Sequence, residues 1–190
     1  MRKLVYYIGV SLDGYIAGPN AEVDFYPTSD EMANWINARY PETIPTHIRK
    51  LIGLEGEENQ AFDTLLIGRG TFEPALDIPT TSPYSHLRQY LISSTLEVDD
   101  PNVTVVKEDP IGMVQRLKRE ESDKDIWLCG GGKLAGTLLS EIDELIIKSY
   151  PVIAGTGIAM VSGGFDPTGF VPTNRVSFDN GAQVSWFSRT

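Results

Sequence analysis

The sequence predicts an α/β fold: a mostly parallel central sheet with helices on both faces and an antiparallel hairpin at the C-terminus. Short apolar runs alternate along the chain with segments of helical spacing, an order typical of parallel sheets. Several runs end in glycine or hydroxyl residues, where a strand turns into a helix. Near the C-terminus, two β-rich runs instead flank Asn180-Gly181, which favours a hairpin. Because the chain has 190 residues and shows no linker, we expect one domain over residues 1–190.

The first predicted strand is Leu4–Val10. Its β-branched and aromatic residues show little alternation, which indicates a central strand buried on both faces. Glycine and proline then predict a structured loop over residues 11–20, with a brief extended piece at Tyr15–Ala17. Ser29 is typical of a helix N-cap, and Pro41 ends the helix that follows.

Residues 41–60 have a less regular pattern. Pro45 at a first helical turn suggests a second helix, broken at Gly53 or Gly56. The next apolar runs predict three buried strands: Thr64–Ile67, Gln89–Ile92 and Val103–Val106.

The second half of the chain predicts two helices and four strands. One helix begins at Pro110, and the other extends from Gly132 to Ser140. The strands are Ile126–Cys129, Glu144–Tyr150, Arg175–Phe178 and Val184–Phe187. The last two form the hairpin, and the Asn-Gly pair between them suits turn positions with positive φ.

The charge of the chain excludes several classes of partner. The net charge is −10 and the isoelectric point is near 4.6, whereas nucleic acids and anionic membranes bind clusters of Lys and Arg. We therefore expect neither as a partner. No run has the length of a membrane span, and the N-terminal residues do not resemble a signal peptide, so we expect a cytoplasmic protein.

Cysteine and histidine are scarce. Cys129 is the single cysteine, which excludes an internal disulfide, and its place in a buried strand favours an inert packing thiol over a nucleophile. The two histidines, His47 and His86, are expected at the surface. With so few ligands of this kind, no metal site is expected.

Three predicted strands end in residues that suit a phosphate-bearing ligand: Gly68–Thr71, Ser93–Thr95 and Gly130–Gly132. In an open α/β sheet, ligands bind outside the carboxyl ends of the strands, so these segments are expected to converge. Glycine amides suit a pyrophosphate, and Arg69 with Ser93 or Ser94 suits a further phosphate monoester, which favours NADP over NAD. Taken singly, each segment also fits a tight turn, a solvated arginine or a turn-capping serine.

Other nucleotide and hydrolase motifs are absent from the sequence. The glycine spacing is not G-x-G-x-x-G, and neither a Walker A motif nor a Gly-x-Ser-x-Gly elbow is present. A Rossmann fold and a serine hydrolase are therefore disfavoured. Carboxylates that remain possible proton donors are Asp13, Asp24, Asp30, Glu55 and Glu58, and water is the alternative.

Four motifs, in this order and spacing, resemble the dihydrofolate reductase-like superfamily: Ser11–Gly18, Ile67–Glu73, Ile92–Leu96 and Cys129–Gly132. The nearest branch resembles the riboflavin-biosynthesis reductase domain and small stand-alone bacterial proteins. The resemblance implies NADPH as hydride donor and a small heterocyclic substrate, pterin- or pyrimidine-like. It also implies a homodimer, and a cis peptide bond between Gly130 and Gly131.

The resemblance also assigns residues by position. The cofactor-binding residues it implies border the nicotinamide and its ribose, the adenosine phosphates or the pyrophosphate: Gly9, Val10, Ile16, Ala17, Gly68, Arg69, Thr71, Ser93, Ser94, Gly130, Gly131, Gly132, Lys133 and Leu134. The substrate-contacting residues it implies are Tyr7, Asp24 and Cys129.

The match departs where the substrate is selected. Dihydrofolate reductases place a carboxylate on the helix before the second strand, but here a longer insertion, Pro27–Phe62, intervenes. No catalytic residue is therefore assigned, and the substrate stays open. A non-catalytic NADP-binding module that acts as a sensor or serves a partner protein is the alternative.

Overall fold

The structure, a computed structural model, describes residues 1–77 and 80–190. These residues include ten strands: β1 (Leu4–Val10), β2 (Tyr15–Ala17), β3 (Phe62–Gly68), β4 (Arg88–Ile92), β5 (Val103–Val106), β6 (Asp125–Gly130), β7 (Glu144–Ser149), β8 (Ile158–Ala159), β9 (Phe170–Ser177) and β10 (Gln183–Arg189). Eight of them form one sheet in the order β5-β4-β3-β6-β1-β7-β10-β9, and β2 pairs with β8 in a second, small sheet. The central position predicted for the first strand is confirmed, because β1 lies between β6 and β7.

The sheet is parallel from β5 to β7 and antiparallel at β10 and β9. The carboxyl ends of β1, β3, β4, β6 and β7 therefore lie along one edge of the sheet, called here the carboxyl edge. The predicted mixed sheet with a C-terminal hairpin is confirmed. In the hairpin turn only Gly181 has positive φ, at 80°, so Asn180 does not use the conformation that its position had suggested.

The helices are α1 (Asp30–Arg39), α2 (Thr46–Leu51), α3 (Arg69–Phe72), α4 (Pro110–Arg119) and α5 (Gly132–Thr137), with 3₁₀ turns at Pro41–Thr43, Glu73–Asp77 and Leu139–Glu141. Ser29 caps α1 as predicted, since its hydroxyl accepts from the Met32 N–H. The helix predicted over 132–140 is shorter than expected. It ends at Thr137, and the 3₁₀ turn Leu139–Glu141 follows as a separate element.

The two faces of the sheet carry separate hydrophobic cores. On one face, α1 packs Met32, Trp35 and Ile36 against strand residues that include Tyr7 and Trp127. On the other face, α4 and α5 pack onto residues that include Leu4, Tyr6, Ile126 and Leu128. Alternate residues of β1 and β6 thus enter opposite cores, which explains why these strands are apolar without a visible alternation.

In the described part of the chain, no helix combines the length and the hydropathy needed to cross a membrane.

Candidate functional site

The ends of β3 and β6 meet backbone to backbone at the carboxyl edge. A Cβ added to Gly68 would lie 3.3 Å from the Gly130 carbonyl oxygen and 3.6 Å from the Gly131 nitrogen. The peptide between Gly130 and Gly131 is cis, as the resemblance implied. The close approach of the two strands thus favours glycine at this junction, independently of any ligand.

Gly131 lies between two residues that the sequence had placed in the same site. A Cβ added to it would lie 3.2 Å from Thr71 Oγ1 and 3.7 Å from Ile16 Cδ1. The start of α5, the helix α3 and the strand β2 therefore converge here. Because α5 has six residues and α3 has four, the free N–H groups of their first turns matter more to the electrostatics of this point than a helix dipole does.

Gly132 has a different role from its neighbour. A Cβ there would collide with the Ala159 carbonyl oxygen, and the Ser162 N–H donates to the Gly132 carbonyl oxygen at 2.9 Å. The segment after β8 thus covers this glycine. The third glycine of the run is required for packing, while Leu134 is buried in the core below and Lys133 is exposed.

Arg69 and the hydroxyl residues after β4 form a second part of the edge. The Arg69 guanidinium is half-exposed, pairs with Glu73 at 2.6 Å and donates to Thr95 Oγ1 at 3.0 Å. Ser94 is exposed. Ser93 is buried, and its Oγ accepts from the Leu96 N–H at 2.9 Å, so its hydroxyl oxygen caps its own turn.

An aromatic stack stands beside the end of β1. A Cβ added to Gly9 would lie 3.2 Å from a ring carbon of Tyr150, and the Tyr26 ring stacks on Tyr150 with centroids 4.4 Å apart. The Tyr26 hydroxyl donates to the Gly9 or the Tyr15 carbonyl oxygen, at 3.2 and 3.1 Å. The sequence reasoning did not identify Tyr26 or Tyr150. Val10 and Ala17 are buried beside this stack.

Lys148 lies on the same face of the sheet as the residues expected to contact substrate. It pairs in register with Gly9, and its Nζ sits 4.1 Å from the centroid of the Tyr7 ring. Burial lowers the pKa of its ammonium to about 8, an effect that nearby Cys129 partly opposes. Tyr7 itself is only 2% exposed, so Lys148 covers its ring. Burial raises the pKa of the Cys129 thiol to about 12, which agrees with the predicted inert thiol.

The carboxylates proposed as proton donors are not buried at this site. Asp24, Asp30, Glu55 and Glu58 are all exposed. Asp13 accepts hydrogen bonds from the Ser11 hydroxyl and from the N–H groups of residues 154 and 155, which lower its pKa to about 2. Such an acid is ionised at neutral pH and cannot donate a proton there.

One of the two histidines is not where the sequence placed it. His47 is exposed as expected, but His86 is half-buried. Its Nε2 hydrogen-bonds the Glu42 carbonyl oxygen at 2.8 Å and its Nδ1 hydrogen-bonds Thr46 Oγ1 at 3.0 Å. Burial lowers the pKa of His86, so this side chain is a structural link between the α2 region and β4.

Two surface cavities lie away from the carboxyl edge. One of about 540 Å³ is lined by the end of α1 and by Gln60 and Ala61, just before β3. The other, of about 460 Å³, includes His86 and Arg88 at the start of β4. Neither includes a residue that the resemblance assigns to cofactor or substrate.

The model of the RibD C-terminal domain family matches residues 2–182. The chain belongs to this family. Two uncharacterized proteins of Bacillus subtilis (strain 168) are similar to this chain. YwjB is 31% identical over 162 residues, which cover 84% of this chain and 82% of YwjB. YyaP is 28% identical over 169 residues, covering 82% of this chain and 78% of YyaP.

Solved structures share the fold at lower identity. A Shewanella sp. PV-4 protein described as a riboflavin biosynthesis protein has a TM-score of 0.70 at 21% identity, with 100% of this chain and 99% of that chain covered. Dihydrofolate reductase from Enterococcus faecalis, complexed with NADP(H), has a TM-score of 0.61 at 14% identity, with 99% and 96% covered.

A two-activity protein also matches. The diaminohydroxyphosphoribosylaminopyrimidine deaminase/5-amino-6-(5-phosphoribosylamino)uracil reductase of Thermotoga maritima has a TM-score of 0.63 at 14% identity. All of this chain, but only 57% of that one, is covered. The predicted dihydrofolate reductase-like fold and its riboflavin-biosynthesis branch are therefore confirmed.

Proposed function

We propose that this member of the RibD C-terminal domain family is an NADPH-dependent reductase that transfers a hydride to a small heterocyclic substrate, pterin- or pyrimidine-like. The observation that carries the proposal is the convergence at the carboxyl edge. There the glycine junction of β3 and β6 adjoins Thr71 and Ile16, with the exposed cations Arg69 and Lys133 on the same edge. The fold shared with an NADP(H)-bound reductase supports the same function.

The residues present fit such a dinucleotide. Gly131 has no side chain to separate its backbone from a pyrophosphate, and a Cβ there would fill the space in front of Thr71. Arg69 and Ser94 would hold a phosphate monoester, with Arg69 exchanging its contact with Glu73 for the ligand. When bound, the reduced nicotinamide supplies the hydride. The residues Gly9 and Ile16 would orient it.

Cofactor selectivity tests this function. We expect NADPH to bind at least tenfold more tightly than NADH, a difference of about 1.4 kcal/mol or more, and Arg69→Ala to remove most of it. Affinities would be measured by fluorescence titration. Arg116→Ala is the matched control, because Arg116 is also an exposed arginine beside an acid, Asp109, but lies on α4. Equal affinity of the parent protein for both nucleotides would refute the assignment.

The exposure of the four candidate carboxylates favours one alternative, a non-catalytic NADP-binding module. This alternative predicts stoichiometric NADPH binding with no turnover of pteridines, pyrimidines or quinones. Oxidation of NADPH by any of these compounds, followed at the absorbance of the reduced nicotinamide, would exclude it.

A further inference from the structure

Lys148 is half-buried, and its surroundings differ from those of Lys118. Lys118 is buried and pairs with Asp143 at 2.7 Å, and its Nζ donates to the Glu141 carbonyl oxygen at 2.6 Å. The Lys148 Nζ makes no hydrogen bond or ion pair with any described residue, and it lies 4.1 Å from the centroid of the Tyr7 ring. A half-buried ammonium that bonds no acceptor of the described chain is available to an acceptor from outside it.

The described side chains that face Lys148 carry no charge at pH 7. Tyr7 approaches it from β1, Cys129 from β6, and Tyr150 from the end of β7, with Tyr26 stacked on Tyr150. Burial raises the pKa of each of these hydroxyl and thiol groups, so all four are neutral at pH 7. An acceptor entering here would meet one cation among aromatic rings and a thiol.

The position of Lys148 relative to Gly9 places it beside the proposed nicotinamide. The two residues are partners across the parallel ladder of β1 and β7, and a Cβ on Gly9 would lie 3.9 Å from Lys148 Cε. An ammonium at this level of the carboxyl edge can reach a substrate ring that lies next to Gly9. The ammonium nitrogen keeps some contact with solvent, whereas the Tyr7 hydroxyl is fully buried and has no hydrogen-bond partner in the described structure.

We propose that Lys148 is the catalytic residue that donates a proton to the substrate heteroatom during reduction. The assignment rests on the proposed reductase function. As the carbon of a C=N or C=O bond receives the hydride, the π-electron pair moves to the heteroatom. One N–H bond of Lys148 then breaks, its proton forms the new bond to that heteroatom, and the electron pair stays on Nζ. The neutral amine regains its proton from water, so the chain is unchanged over a cycle.

The proposal narrows the substrate class. The reducible bond must be polar, with a nitrogen or oxygen next to the carbon that takes the hydride, and the heteroatom must point at Lys148. A neutral or anionic acceptor fits, whereas a cationic group at this position would be repelled by the ammonium. A reducible C=N bond in a dihydropterin has this character.

The test uses the full-length protein with NADPH and 7,8-dihydrobiopterin or 7,8-dihydrofolate as probes. We expect Lys148→Met to lower kcat at pH 7 at least 100-fold with a smaller change in KM, and to remove a decline of kcat above pH 8 in the parent. Lys148→Arg should keep binding without restoring kcat, because a guanidinium does not release its proton. Lys50→Met, on the exposed surface of α2, is the control.

A second readout does not depend on turnover. NMR titration of lysine side chains in the NADP⁺ complex should give Lys148 a midpoint near 8 against about 10.4 for an exposed lysine, and probe binding should shift its signal. If NADPH does not bind, the reductase function itself fails. If NADPH binds but Lys148→Met keeps the parent's rate and pH profile, the function stands and the assignment of Lys148 falls. A parent protein that reduces neither probe, with a Lys148 signal that neither probe moves, also overturns the assignment.

Discussion

Replacing Lys148 by methionine should make the protein more stable at pH 7, although it removes a charged side chain from the candidate site. The folded structure removes part of the water around this ammonium without giving it a carboxylate partner, whereas the unfolded chain solvates it fully. Methionine has a similar length, is apolar, and can lie over the Tyr7 ring in the same place. The substitution therefore removes a cost of folding.

The pKa of Lys148 gives the size of this cost. Burial lowers it from 10.5 to about 8, and a tenfold change in a protonation equilibrium corresponds to about 1.4 kcal/mol, so the protonated form costs at most about 3.5 kcal/mol of folding free energy. The contact of the ammonium with the Tyr7 ring returns about 0.5–2 kcal/mol, which methionine replaces only in part. We expect a net gain of about 1–3 kcal/mol at pH 7.

The gain should depend on pH in a defined direction. Between the folded pKa near 8 and the unfolded value near 10.5, the unfolded parent binds more protons than the folded parent. The stability of the parent therefore rises with pH across this interval relative to Lys148→Met, and the gain from methionine disappears as pH approaches 10.5. Below pH 8 the gain is constant.

Urea denaturation followed by tryptophan fluorescence at pH 7 and pH 9.5 would measure this effect. Lys118→Met is the matched control, because it leaves Asp143 without its cation and should lose about 2–4 kcal/mol. A Lys148→Met protein that is less stable than the parent at pH 7, or equally stabilised at both pH values, would refute the reasoning. An opposite sign for the two methionine variants would support it, since only the pairing of the two lysines differs.

Three further predictions concern the cofactor edge, the core and the assembly. Gly131→Ala should weaken NADPH binding tenfold or more in a titration without unfolding the protein, because the new methyl group would lie 3.2 Å from Thr71 Oγ1. Unchanged affinity for NADPH would show that this glycine is not part of the cofactor site. Glu42→Gln should lower the unfolding free energy by about 2–4 kcal/mol, since its buried carboxylate accepts three backbone N–H groups, and a urea midpoint equal to the parent's would contradict this. We propose a homodimer that forms through the exposed edge strand β9. Sedimentation at micromolar concentration should then show twice the chain mass, and a single 21.0 kDa species would exclude the dimer.

The sequence contained most of the information about the elements and about the residues that meet at the carboxyl edge. Apolar runs bounded by glycine and proline located the main strands, because buried strands are short and their ends need turn residues. Parallel strands share one direction, so Gly68 and Gly130 at two strand ends had to meet at one edge. The resemblance also predicted the cis peptide bond between Gly130 and Gly131, which the structure contains.

Local patterns did not distinguish residues that have the same type but different surroundings. Gly131 and Gly132 are adjacent and identical, yet one faces Thr71 and the other lies under Ala159. The second contact comes from a segment almost 30 residues away in the chain, whose position depends on β8 pairing with β2. His86 was similarly expected at the surface, but the fold brings the Glu42 carbonyl to its ring.

Lys148 shows most clearly what only the tertiary structure decided. In the sequence, Lys148 follows Ile146 and Ile147 and precedes Ser149, in a strand with no clear alternation. The sheet face on which it lies and its spatial neighbours therefore could not be predicted. The register of β7 against β1 sets it beside Gly9, and the order of the sheet brings Cys129 of β6 and the Tyr7 ring to the same face. The sequence determined that a lysine lies in a buried strand. The burial that lowers its pKa comes in part from Tyr7 and Gly9 of β1, more than 130 residues away in the chain, and a linear pattern does not encode such contacts.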